Sequence, residues 1–208
     1  MGSSRILLTV IALSLAVVPL ASAEDRGEVV YQLCSTCHGE KGDGNPEALA
    51  PAIAGLSQWY VAAQLRGFRS GWRGGHFDDI SGMRMRPMAM SIPRDTDIDA
   101  VAVYVEKLPP VQPEPVLMGG DPAKGKALYV TCIQCHGDKG QGLQSMNGPR
   151  LTHIHDWYLS EQMGKFKAGI RGGNPADING ILMRGMALGL ADDQAVKDVI
   201  AYILTLSE

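Results

Sequence analysis

Apolar residues recur at helical intervals along much of the chain. The stretch that begins near Asp95 has four apolar residues at steps of three and four, which places them on one helix face: Ile98, Val101, Val105 and Leu108. Asp95 is predicted to cap this helix at its N-terminus, because its carboxylate can accept free backbone N–H groups there. No segment shows the period-two alternation of a half-buried strand, so the pattern predicts an all-α fold.

Two further helices are predicted earlier in the chain. One runs from about Asp25 into Cys34, and another starts near Ser57 with Trp59 and Phe68 among its apolar positions. Glycine and proline dominate the stretches between the helices. Residues of this kind interrupt regular structure, so we expect a few short helices joined by long loops.

The pattern occurs twice. Residues 27–108 match residues 125–206 without a gap at an offset of 98. Two copies are too few for a stacked repeat protein, so each copy should be a domain with its own core. The predicted domains are residues 24–108 and 121–208, joined by a proline-rich linker at 109–120 that is either stiff and extended or packed across one domain.

The first 23 residues are typical of a secretory leader. Arg5 precedes an apolar run from Ile6 to Leu20, and Ala21-Ser22-Ala23 has the small residues of a cleavage site. The alternative is an uncleaved anchor, but this run is shorter than the roughly 20 apolar residues that span a bilayer. We therefore expect a periplasmic protein that is cleaved near Ala23 and contacts membranes only through partner complexes.

Charge and cysteine content narrow the possible functions. The 208 residues carry a formal net charge of -3 without any basic run, which argues against nucleic-acid binding. Four cysteines in an exported chain would ordinarily suggest two disulfides. Their spacing points to different chemistry.

All four cysteines lie in two copies of one motif: Cys34-x-x-Cys37-His38 and Cys132-x-x-Cys135-His136. This is the attachment sequence for c-type haem, in which two thiols bind one porphyrin edge and the histidine lies beneath the iron. One such motif alone could be a redox or zinc pair, and a zinc site would use both pairs around one metal. Two motifs at equivalent places of a duplication instead predict two covalently bound haem c groups, with His38 and His136 as iron ligands.

Methionine is the other expected iron ligand, and the duplication reduces the candidates. Met83 and Met90 have no methionine at the equivalent places in the second copy. The chain retains two methionine pairs across the repeat: Met85 with Met183, and Met88 with Met186. Two candidates per domain therefore remain.

With these motifs, the whole mature chain resembles the dihaem class I cytochromes c of the cytochrome c4 type. In that family a methionine shortly before the last helix binds iron, commonly the first of a Met-x-x-Met pair. The resemblance thus implies Met85 and Met183 as ligands. It also implies that the carbonyls of Pro51 and Pro149 accept a hydrogen bond from the proximal histidines, although either proline could simply shape its loop.

Other repeated side chains have two interpretations each. Four arginines could pair with haem propionates or lie on the solvated surface: Arg73, Arg86, Arg171 and Arg184. The Trp-Tyr pairs at 59–60 and 157–158 could form an electron path or simply pack in the core. His76, His153 and His155 have no counterparts in the other copy, and His153 or His155 could serve as an alternative sixth ligand.

These features predict an electron carrier and not an enzyme. The resemblance implies two neighbouring haems, a quinol-oxidising complex or a dehydrogenase as donor, and a terminal oxidase or reductase as acceptor. The proline-rich linker departs from the family pattern and leaves the haem-to-haem arrangement open. The alternatives are a fixed subunit of a dehydrogenase or oxidase complex, and a dihaem enzyme in which one iron lacks methionine.

Overall fold

A computed structural model describes residues 23–206. The predicted leader therefore lies outside the described residues, apart from Ala23, where the first helix begins. Within 23–206, no helix is both long and apolar enough to span a membrane.

The described chain is helical, without a β-sheet, and this confirms the predicted all-α class. The first half contains α1 Ala23–His38, α2 Gln58–Ser70, α3 Ile80–Met90 and α4 Asp95–Lys107. The second half contains α5 Pro122–Tyr129, α6 Ile133–His136, α7 Asp156–Lys167, α8 Ile178–Leu188 and α9 Asp193–Thr205. A single 3₁₀ turn follows each haem motif, at Pro46–Ala48 and at Gln144–Met146.

The first and last helices of each half cross at a glycine. A Cβ added to Gly27 would clash with the carbonyl oxygen of Ala100 in α4, and one added to Gly125 would clash with that of Asp198 in α9. Glycine is required here because the two backbones touch. These crossings pack α1 on α4 and α5 on α9, so the helix that contains or directly precedes each Cys-x-x-Cys-His motif lies against the last helix of its domain.

The first helix extends further than expected. It continues through Cys34 to His38 and stops before Gly39, whose φ of 79° is left-handed. The second copy breaks this helix in two, since α5 ends at Tyr129 and α6 begins at Ile133. In the first copy both cysteines and the histidine therefore lie on one continuous helix.

The structure also contains a helix in each half that the sequence pattern did not predict. Asp79 accepts the Gly82 N–H at 3.1 Å and starts α3, and Asp177 accepts the Gly180 N–H at 2.9 Å and starts α8. Pro87 lies inside α3, and glycine, proline and methionine there obscured the helical period. These two helices carry all four candidate methionine ligands, Met85 and Met88 on α3 and Met183 and Met186 on α8.

The predicted N-cap of α4 is wrong by one residue. Arg94, in an extended conformation, occupies the cap, and Asp95 is the first helical residue. The Asp95 carboxylate forms an ion pair with Arg69 of α2 instead of binding the helix end. A negative charge in the first turn still favours the helix, because the N-terminal end of the helix dipole is positive.

Each half has its own apolar core, and the first core extends across the domain boundary. The first is built mainly on Tyr31, Leu65, Phe68, Ile98, Val101 and Val105, and Ile154 of the second half joins it. The second core comprises Tyr129, Leu190, Val196, Val199, Ile200 and Ile203. The two halves are therefore packed against each other.

The segment between the halves has no regular secondary structure and is bound to the second half. The backbone N–H groups of Val116 and Leu117 donate to the Asp156 carboxylate at 2.7 and 2.6 Å. Asp156 is the first residue of α7 and is buried. Of the two predicted arrangements, the structure therefore shows a linker packed on one domain.

Candidate haem sites

The paired cysteines lie near the end of α1 in the first half, and at the cap and within the short helix α6 in the second. Cys34 and Cys37 are three residues apart on α1, and none of the four cysteines, all within the described chain, forms a disulfide. Burial raises the pKa of the Cys34 thiol to about 11 and also raises that of Cys132. Reactive cysteines have lowered pKa values, so Cys34 and Cys132 differ from them. Across residues 23–206, no group of three or more His, Cys, Asp or Glu side chains is placed to hold a metal ion.

Each motif histidine is held by a proline carbonyl. The Nδ1 atom of His38 lies 2.8 Å from the Pro51 carbonyl oxygen, and that of His136 lies 2.7 Å from the Pro149 oxygen. A carbonyl can only accept, so Nδ1 carries the proton and the lone pair remains on Nε2. Burial lowers the pKa of both histidines, although the carbonyl bond opposes the shift. The shift favours the neutral ring, in which Nε2 is available to an iron.

The candidate methionines differ in their burial. Met85 is half-buried and packs against the first core, whereas 39% of Met88 is exposed. In the second half, Met183 is half-buried and 48% of Met186 is exposed. The first methionine of each pair is therefore the one directed inward.

Of five buried guanidinium Nε atoms without a hydrogen-bond partner in residues 23–206, four recur across the duplication, two in each domain, and this number matches a ligand with two carboxylates. The four are the Nε atoms of Arg73, Arg86, Arg171 and Arg184. Arg86 and Arg184 directly follow Met85 and Met183 on α3 and α8, so one of the two arginines in each domain is adjacent in sequence to the candidate ligand. Because haem carries two propionates and guanidinium binds carboxylate strongly, the residues present fit haem.

Two of these arginines form a symmetric network between the halves. Arg73 donates to Gln64 at 2.9 Å and to Gln162 at 3.3 Å, while Arg171 donates to Gln162 at 2.9 Å and to Gln64 at 3.2 Å. Both arginines are buried, so the solvated alternative is wrong for them. Arg73 and Arg171, two of the candidate propionate-binding residues, therefore lie at one interface shared by both halves, despite the proline-rich linker.

The tyrosines of the repeated Trp-Tyr pairs belong to the same network. Arg73 donates to the Tyr158 hydroxyl at 3.3 Å, and Arg171 hydrogen-bonds with Tyr60. Each tyrosine thus contacts the arginine of the other half. Their position favours packing at the interface as the role of these residues.

An ion pair across the interface was not predicted from the sequence. Lys165 of α7 lies 2.5 Å from Asp79, the cap of α3, and 2.8 Å from Glu161. The repeat places Gly67 at the position equivalent to Lys165, so the pair exists on one side only. Asp79 recurs as Asp177, and this repeated aspartate before a glycine was the one sequence signal for the helices that carry the methionines.

His155, which the sequence offered as a possible alternative sixth ligand, makes a different contact. It is buried, and its Nδ1 accepts the backbone N–H of Ala52 in the first half at 2.9 Å. In the repeat its place is taken by Ser57. The position next to Pro51 connects it to the first haem site.

Comparison with known proteins gives a consistent result. A family model described as "Cytochrome c" matches residues 24–109 and 122–207. The thiosulfate dehydrogenase electron acceptor of Thiomonas intermedia (strain K12) is 34% identical, over 77% of this chain and 73% of the relative. Cytochrome c4 of Azotobacter vinelandii is 28% identical, over 93% and 94% respectively. The structure of Acidithiobacillus ferrooxidans cytochrome c4 has a TM-score of 0.69 and 29% identity, and the match covers 86% of this chain and 99% of that one.

The fold, the two attachment motifs and these similarities agree on the cofactor and the type of function. Each half carries one covalently attached haem c, and the protein is an electron carrier and not an enzyme. The chain belongs to the cytochrome c family, as a dihaem electron-transfer cytochrome of the cytochrome c4 type.

Proposed function

We propose that this protein accepts electrons from a dehydrogenase outside the cytoplasm and passes them to a downstream acceptor, with thiosulfate dehydrogenase as the leading donor. The observation that carries the proposal is the similarity to a thiosulfate dehydrogenase electron acceptor, which extends over 77% of the chain. Both halves of the duplication contribute to that similarity, because the matched length exceeds one domain.

We assign the same set of residues to each iron. His38 and Met85 would bind the first iron, and His136 and Met183 the second, while the cysteine pairs 34/37 and 132/135 would form the thioethers. The haem supplies an iron that takes up or releases one electron without any change in substrate bonds. Ligation by histidine and methionine raises the reduction potential and leaves no open position for a substrate. The half-buried positions of Met85 and Met183 support this assignment over Met88 and Met186.

The protein itself would fix the spacing and environment of the two sites. Gln64 and Gln162 bridge the two interface arginines, so the domains are held in one orientation. This orientation would keep both cofactors at a constant separation during turnover. Two such sites in one protein can store two electrons from a single donor.

A second candidate donor is a quinol-oxidising complex, with a terminal oxidase or reductase as acceptor. The similarity to cytochrome c4 over almost the whole chain favours it. The two candidates share their haem sites and differ only in the partner. In both cases we place the protein in the periplasm after cleavage near Ala23, in keeping with its leader-like N-terminus.

Reduction kinetics with purified partners would distinguish the donors. The oxidised holoprotein is mixed with a catalytic amount of thiosulfate dehydrogenase and excess thiosulfate, and haem reduction is followed optically. We expect both haems to be reduced within seconds, and omission of either the enzyme or thiosulfate to prevent this. Fast reduction by a quinol-oxidising complex and none by the dehydrogenase would reject the leading donor in favour of the second.

A further inference from the structure

One peptide group in the first domain is hydrogen-bonded on both of its sides. The carbonyl oxygen of Pro51 lies 2.8 Å from Nδ1 of His38, and the N–H of Ala52 lies 2.9 Å from Nδ1 of His155. These two atoms belong to the same amide, because Ala52 directly follows Pro51. An unbroken chain of hydrogen bonds therefore runs from the motif histidine of the first domain to a histidine of the second.

The proton positions along this chain are fixed by chemistry. The amide N–H can only donate, so Nδ1 of His155 is the acceptor and its proton is on Nε2. The carbonyl can only accept, so Nδ1 of His38 is the donor. Burial lowers the pKa of His155, against the opposing charges of Asp156 and Asp43, and this favours the neutral acceptor form.

Several contacts hold His155 in this position. It is only 7% exposed, and its ring centre lies 5.4 Å from that of Trp157. On the same loop, Arg150 donates to the Ala54 carbonyl of the first domain at 2.8 Å. The second domain is thus hydrogen-bonded to the first-domain loop at Ala52 and Ala54, just after Pro51, the residue that orients His38.

The second domain lacks the corresponding bond. His136 is held by Pro149 at 2.7 Å, but within residues 23–206 no histidine accepts the next N–H, that of Arg150. Ser57 stands where the repeat would need a histidine, and it forms no side-chain capping bond. Of the two proximal histidines, only His38 is supported from the other domain.

We propose that His155 is a positioning residue for His38 and lowers the reduction potential of the first iron relative to the second. A hydrogen bond to an amide N–H draws electron density onto its carbonyl oxygen, because consecutive hydrogen bonds polarise one another. The carbonyl of Pro51 then accepts more strongly from His38. The imidazole becomes more electron-rich at Nε2 and stabilises ferric over ferrous iron.

This inference rests on the proposed assignment of His38 as a ligand and not on the identity of the electron donor. The test compares two variants of the holoprotein. His155→Leu removes the acceptor, while His155→Asn retains it, because the asparagine side-chain oxygen can lie near the place of Nδ1. Ser57→Ala, at the equivalent position of the other domain, serves as the control. Proton NMR of the ferric protein during a redox titration follows the ring-methyl signals of each haem separately.

We expect His155→Leu to raise the potential of the first haem alone. At a fixed ambient potential, the ratio of oxidised to reduced iron in this haem should fall about threefold. This corresponds to a potential higher by ~28 mV for a one-electron couple. In His155→Asn the potential of the first haem should be close to that of the wild type. Ser57→Ala should change the potential of neither haem.

Three results would overturn the proposal. In one, the leucine variant unfolds more easily but both potentials are unchanged, which would make His155 purely structural. In another, both haems shift equally, which would indicate a general effect of the interface. In the third, leucine and asparagine variants shift equally, so that the acceptor would be irrelevant. A wild-type spectrum without histidine–methionine ligation would instead reject the ligand assignment, independently of His155.

Discussion

Arg73 of the first domain donates a hydrogen bond to the side-chain oxygen of Gln162 in the second. The same oxygen accepts a hydrogen bond from Arg171. One glutamine oxygen thus joins two buried guanidinium groups of equal charge. Gln64 does the same from the other side. This arrangement fixes the domain interface beside the two haem sites, and it makes the glutamines sensitive to substitution.

Replacement of this acceptor should destabilise the folded protein. Gln162→Leu removes the acceptor of a buried Arg171 donor and one of the two acceptors of an Arg73 donor, so we expect the free energy of unfolding to fall by about 3 kcal/mol. Denaturant unfolding of the holoprotein measures the change. Gln58→Leu, at an exposed position at the start of α2, is the control and should have little effect. Equal losses in both variants would contradict the role given to the network.

Replacement of only one partner of the Lys165–Asp79 ion pair should strongly lower the free energy of unfolding. Their side chains are 7% and 2% exposed, so Lys165→Met leaves a buried carboxylate without its cation. We expect a loss of about 3 to 5 kcal/mol in unfolding free energy. The double variant Lys165→Met/Asp79→Asn should recover much of this loss, and a purely additive double variant would show that the two side chains are not coupled.

Acid should weaken the first domain through Asp97. The hydrogen bond from Arg26, together with that from Arg94, holds the pKa of this buried carboxyl well below its ordinary value. The ionised form therefore adds stability above about pH 4, the ordinary range of the unfolded carboxyl, and this stability is lost as the pH falls below it. In denaturation curves recorded between neutral and acidic pH, Asp97→Asn should flatten the acid dependence. The exposed Asp99→Asn variant should retain it.

The helix crossing at Gly27 should tolerate no side chain. Gly27→Ala places a methyl group against the Ala100 carbonyl, and we expect it to cost about 1 to 3 kcal/mol in unfolding free energy. Gly164→Ala is the matched control, because nothing lies within 4 Å of the added carbon on that exposed helical position. That variant should stabilise the protein by about 0.5 to 1 kcal/mol. A neutral result at Gly27 would contradict the close crossing.

The sequence predicted those features that depend on local pattern or on repetition. The helix near Ser57 followed from apolar spacing, and the two haem motifs followed from the duplication. The helices that carry Met85 and Met183 were missed, because glycine and proline hide their period and a capping aspartate establishes each of them. Repetition could have revealed Asp79 and Asp177, since both precede a glycine at the same distance.

Features found in one domain only could not be predicted from the sequence. Lys165 and His155 replace Gly67 and Ser57 of the first copy, so the duplication gives no signal for them. Their importance comes from contacts with the other domain, at Asp79 and Ala52. Such contacts depend on how two complete domains pack, which no short sequence pattern encodes.

The central claim is that both haems have matched histidine and methionine ligands. The most direct test is the weak long-wavelength absorption of the ferric holoprotein that an iron–methionine bond produces, recorded for the wild type and three variants. We predict that Met85→Ala and Met183→Ala each remove about half of the band and allow the affected reduced haem to bind carbon monoxide, while Met88→Ala leaves the band intact. A wild type in which one haem lacks the band, or loss of the band in Met88→Ala, would contradict the account.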